Sequence, residues 1–156
     1  MASPAGRAWV ANGHRQLRQQ RLMRAIVEEH ADALIHDAAA ACEDADLVLS
    51  GFTSDAYALA IGERRGIPVA SMPLQPALLA TRDGRAMTAA PFPERVSPLN
   101  RWFGRVILEP FPWRVYGEPV NAFRWEVGLA AQSAAQHAAQ RRRTPMLHGI
   151  SPLVMP

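Results

Sequence analysis

The chain has 156 residues, is 49% apolar and carries a formal net charge of +3. That length suits one domain with a buried core and is short for two. No apolar run approaches the ~18 residues of a membrane-crossing helix, so no transmembrane segment is expected.

The N-terminal residues Met1 to Arg7 lack the charged-then-apolar architecture of a secretory signal. Cys42 is the only cysteine, which excludes an intrachain disulfide, and a lone thiol on a helix reads as a small core side chain. Together these features predict a cytoplasmic protein. All 17 basic side chains are Arg. Arg15, Arg18, Arg21 and Arg24 recur every third residue, which drifts around a helix as a solvated stripe. Neither they nor Arg141, Arg142 and Arg143 are interleaved with aromatics as in a single-strand binder, so no nucleic-acid partner is expected.

Residues 1–45 form a helical lead-in. From about Gln16 to Cys42, Leu17, Met23, Ile26, Val27, Leu34, Ile35 and Ala38 recur at three- and four-residue spacing, which predicts one long amphipathic helix. The period then changes. Leu47, Val48 and Leu49 form a short continuous apolar run, as in a strand buried on both faces of a parallel sheet. A second helix is predicted from about Ser54 to Arg65, with Thr53 or Ser54 as its cap and Gly66 at its C-terminal end. Ile67 to Met72 supplies another strand. Residues 46–76 are thus a β-α-β unit, for which parallel strands and a right-handed crossover are expected. Ligands of such sheets lie beyond the carboxyl ends of the strands. Residues 77–96 read as a loop broken by Pro and Gly. Ser97 and Pro98 then open a helical region, 97–129, in which Pro110, Pro112 and Pro119 are expected to separate helical pieces. Residues 130–143 are a low-complexity Ala/Gln/Arg segment, read as an exposed helix or a variable loop. Residues 144–156 hold a last short strand, Met146 to Ile150.

At this point the residues resemble a known family. The run Asp46-Leu47-Val48-Leu49-Ser50-Gly51 through Gly66-Ile67-Pro68 is similar to a unit of glycosyltransferases with the GT-B fold. The nearest likeness is to those acting on sterols, macrolides and glycopeptide antibiotics. Leu74-Gln75-Pro76 followed by Ala80-Thr81-Arg82, Leu99-Asn100-Arg101, Trp113-Arg114, Val120 through Leu129, and Pro145 through Pro152 resemble further elements of that family, in its order. The resemblance covers roughly Asp46 to Pro156. It implies an α/β fold class, with a partial Rossmann-like parallel sheet flanked by helices, the N-terminal half of a GT-B fold. It also implies transfer of a hexosyl group from a nucleotide sugar to a lipophilic acceptor such as a sterol, macrolide or polyketide. The nucleotide sugar would be bound by a second, C-terminal domain.

The catalytic groups implied by the resemblance are not found among these residues. The family's general base is a His after a Gly-rich first strand. His14 has no apolar strand before it and reads as a surface residue. Gly51 stands where many relatives place the carboxylate that orients the base, and Asp55 reads as a surface or first-turn helix carboxylate. His148 reads as structural. No catalytic residue, cofactor or metal is therefore assigned, and the chain alone is expected to be inactive.

The acceptor side remains. Phe52, Thr53, Tyr57, Met72, Gln75, Leu78 and Arg82 fall on the strand ends and the loop, combining apolar bulk with a few polar groups as a small-molecule pocket requires. For Tyr57 and Met72 core packing is an equal reading, and for Gln75 and Arg82 a loop-surface role. Trp102, Phe103, Phe111, Trp113, Tyr116 and Trp125 read as core or groove lining. Two alternatives stay open: a non-catalytic module derived from a glycosyltransferase, which binds a hydrophobic ligand or partners a full-length transferase, and an unrelated α/β domain. A half-sheet would leave an exposed apolar edge available for self-association.

Overall fold

The computed structural model describes residues 4–11, 16–51, 53–73 and 97–148. Its elements run α1 (Pro4–Ala11), α2 (Gln16–Ala41), β1 (Val48–Ser50), α3 (Asp55–Arg65), β2 (Val69–Ser71) and α4 (Ser97–Phe103). A π-helical turn (Gly104–Leu108), α5 (Phe111–Glu126) and α6 (Ala134–Arg143) complete them. The described chain is mostly helical with one small parallel sheet, α/β only in a loose sense.

The core is made by three helices. Val27, Ala31 and Ile35 of α2 meet Ala56, Tyr57, Ala60 and Ile61 of α3 and Val115, Val120 and Phe123 of α5. The α2 positions recur every four residues and the α5 positions at five and then three, one inward stripe on each, whereas α3 is buried all round from Asp55 to Gly62. Leu34, expected on the apolar face of α2, is exposed instead. It lies one residue off the Val27–Ala31–Ile35 stripe, about 100° around the helix. Cys42 packs half-buried against the edge of this core.

The β-α-β unit is present as predicted in order and direction. Val48, Leu49 and Ser50 pair in parallel with Val69, Ala70 and Ser71. α3 closes on Gly66, whose φ of 68° is in the left-handed region where glycine has no Cβ penalty. The N–H groups of Gly66 and Ile67 both donate to the Gly62 carbonyl, turning the chain back into β2. The expected hydroxyl cap is absent: Ser54 occupies the cap position, but its Oγ bonds to the Gly51 backbone rather than to α3.

Burial of β1 on both faces is not observed. Val48 and Ser50 are buried against α3, whereas Leu49 is 54% exposed and Leu47 49%. Alternation sends every second side chain to the opposite face, and α3 covers only one of them. A further segment joins the other edge of β2. Ser71 bridges Met146 in parallel, donating its N–H to the Pro145 carbonyl and accepting from the Leu147 N–H. The final strand is thus a single bridge among the described residues.

Pro119 does not divide the helix in which it sits; α5 continues through it to Glu126. The Ala/Gln segment is a helix, but not an exposed one on all sides. α6 starts with a reciprocal capping box, in which Gln136 N–H donates to Ser133 Oγ and Ser133 N–H donates to Gln136 Oε1. His137, Ala138 and Arg141 are buried on the face that packs toward α5. No described helix is long and apolar enough to cross a membrane.

Candidate functional site

The carboxyl ends of β1 and β2 are where a ligand of this sheet is expected. Parallel register sets Ser50 opposite Ser71, and both side chains face α3. The helix begins immediately beyond, so the first-turn Asp55 carboxylate meets both hydroxyls. Ser50 Oγ donates to Asp55 Oδ1 at 2.5 Å, and Ser71 Oγ lies 2.9 Å from both carboxylate oxygens. Arg141 of α6 adds a guanidinium Nη2 3.5 Å from Asp55 Oδ2. Asp55 is therefore a buried carboxylate, 5% exposed, and the expectation of a surface group is corrected. A first-turn acid gains from the helix dipole wherever it lies. Its burial requires the additional partners.

This arrangement can do little chemistry. The carboxylate is engaged by two hydroxyls and a cation. The space enclosed by Ser50, Asp55, Leu59, Ser71, Arg141, Thr144 and Met146 has no room for a water molecule. Both hydroxyls donate to the Asp55 carboxylate, and no imidazole hydrogen-bonds to either among the described contacts. The cluster locks β1, β2, α3 and α6 together.

Of the proposed acceptor-side residues, Thr53 and Met72 are exposed at the ends of β1 and β2. Tyr57 is in the core, its ring edge-on to Tyr116 at 5.7 Å. Burial, and next the neighbouring Tyr116, push its phenol pKa up to about 12, and its hydroxyl has no hydrogen-bond partner among the described residues. Phe52, Gln75, Leu78, Arg82 and His14 lie outside the described residues. His148 is exposed.

The aromatic stretch divides by helical phase. Trp113 and Tyr116 pack against the core, while Trp102 is exposed and Trp125 is 83% exposed. Trp125 follows the buried Phe123 by two residues, about 200° around α5. It therefore points away from the core.

Two residues of the Val120–Leu129 stretch hold the fold together. Asn121 accepts from the Gln132 N–H through Oδ1 and donates to the Gln132 carbonyl through Nδ2. Arg124, 2% exposed, places its guanidinium on both Glu63 oxygens at 2.8 and 3.0 Å and donates Nε–H to the Ala130 carbonyl. The hydrogen bond from Arg124 is the main cause that lowers the Glu63 pKa. Sequence reading also missed His137. It stacks on Trp113 with ring centroids 4.5 Å apart. Burial first, then the Arg141 and Arg124 charges, lower its pKa to about 4.

The more open concavities lie elsewhere. One groove of about 440 Å³ runs between α2, α3 and α5, lined by His36, Ile61, Arg64, Arg65, Phe123 and Glu126 among others. At its rim Asp32, His36 and Glu126 converge.

Compared with known families, curated proteins and solved structures, the chain matches no family model, no curated protein and no solved structure.

Proposed function

We propose that this chain supplies acceptor-side structure of a GT-B-type glycosyltransferase and performs no transfer by itself. The reaction it would serve is hexosyl transfer from a nucleotide sugar to a lipophilic acceptor, with the donor held by a second domain. The observation that carries this reading is the sheet. β1, β2 and the Met146 segment follow one another in parallel, in the order in which they occur in the chain. The outer face of β1 presents Leu47 and Leu49 uncovered, as an incomplete Rossmann-like half would. Thr53 and Met72 are exposed at the strand ends, which is compatible with contact to an acceptor there.

A specific observation also favours the second reading, a non-catalytic module that binds a hydrophobic ligand. Among the described residues, the carboxylate at the strand ends, Asp55, is engaged by Ser50, Ser71 and Arg141 and enclosed.

Titration of tryptophan fluorescence with a sterol and a macrolide tests the shared element. Saturable quenching, weakened by Met72→Asp, is the expected result. No saturation with either ligand type would remove the acceptor-side assignment. The coding sequence on either side separates the two readings. A Gly-rich first strand upstream and a second Rossmann-like domain downstream belong to the transferase, and their absence belongs to the module.

A further inference from the structure

The geometry points to a divalent metal site of the zinc class, formed by Asp32 and His36 of α2 with Glu126 of α5. It is independent of the transferase reading. Asp32 and His36 are four residues apart, so they share one face of the helix. Glu126 arrives from the last turn of a different helix. Both carboxylates approach the same imidazole nitrogen: His36 Nε2 is 3.4 Å from Asp32 Oδ1 and 3.3 Å from Glu126 Oε2. The three ligand atoms all lie within 4.8 Å of one another.

The two nitrogen–oxygen separations, 3.4 and 3.3 Å, fit adjacent ligands of one metal ion. N–H···O bonds cluster between about 2.7 and 3.2 Å. Arms of about 2.0–2.1 Å from a tetrahedral zinc to N and O ligands place adjacent ligand atoms about 3.3–3.4 Å apart. His36 is also positioned, its ring edge-on to Phe123 at 6.0 Å and 80°. All three side chains are exposed. As an ion pair in water they contribute little, whereas a metal with one imidazole and two carboxylates needs no burial. His36 and Glu126 line the groove of about 440 Å³, with Arg64 and Arg65 also on its wall. A fourth position on the metal is thus left for water or an anionic group entering that groove.

Calorimetric titration of zinc chloride into the chelator-treated full chain tests the assignment. One saturable site is expected, with affinity falling at least about tenfold in His36→Gln, Glu126→Gln and Asp32→Asn. Cys42→Ser and His148→Gln remove other zinc-seeking side chains and should leave it unchanged. Cobalt(II) in place of zinc should give the visible absorption of a four-coordinate N/O site, lost in the same three variants. Circular dichroism identifies any variant that fails to fold, in which case the remaining two carry the test. Absence of saturable binding, binding that survives in all three variants, or binding lost with Cys42 or His148 overturns the site.

Discussion

Arg141, near the end of α6, ion-pairs at 3.5 Å with Asp55 in the first turn of α3, and both side chains are buried. The same carboxylate accepts from Ser50 and Ser71, so one acidic group ties together two strands and two helices.

Asp55→Ala leaves two buried hydroxyls and a buried guanidinium without their common acceptor. A loss of about 3–5 kcal/mol is expected, with Asp55→Asn intermediate because its amide oxygen still accepts. Urea unfolding monitored by circular dichroism measures it. A loss of only a few tenths of a kcal/mol would contradict the role assigned to this carboxylate.

Arg124→Lys keeps the charge but loses the fork that spans Glu63 and the Nε–H donated to the Ala130 carbonyl. A loss of about 1–3 kcal/mol is predicted. Glu63→Gln should lose less, since its side chain is 37% exposed and solvent screens the pair. Equal effects from the two substitutions would contradict this ranking.

His137 makes stability depend on pH. Its native pKa is lowered to about 4 from the ordinary 6.5, so the unfolded chain takes up the proton first. Its contribution is fully present above about pH 6.5 and declines as pH falls toward 4. The decline is on the order of 2–3 kcal/mol. Unfolding free energies at pH 7.5 and pH 5 should differ by about 2 kcal/mol more in the natural chain than in His137→Phe. Equal pH dependence in both would contradict it.

Gly62 lies where α3 crosses β2. A Cβ there would clash with Val69 Cγ2 and sit 3.1 Å from the Ile67 carbonyl oxygen. Gly62→Ala should therefore destabilise by about 1–3 kcal/mol through overpacking, despite alanine's better helix propensity. A stabilised variant in thermal denaturation would show that β2 can move away.

The β-α-β unit was legible because its signals are local. The apolar period changes at Leu47, and Gly66 closes α3. The Ser133-x-x-Gln136 pattern of the α6 capping box was equally local and could have been read. That one face of β1 is left uncovered was not legible, since a three-residue apolar run does not show whether one face or both are covered. The burial of Asp55 was not legible either. It requires Ser50 and Ser71 to fall in register and Arg141 to arrive from the far end of the chain. For the metal trio, the four-residue spacing of Asp32 and His36 is visible in sequence, but Glu126 joins them only through the packing of α5 on α2. The acceptor-side set divides in the same way: Tyr57 faces the core because of its phase on α3, while Thr53 and Met72 remain at the strand ends.

Calorimetry on one preparation of the full chain, titrated separately with a lipophilic acceptor and with a nucleotide sugar, tests the central claim most directly. Saturable acceptor binding, with no saturable heat from the nucleotide sugar, is the predicted result. Saturable nucleotide-sugar binding, or failure of every sterol, macrolide and polyketide tried to bind, would contradict it.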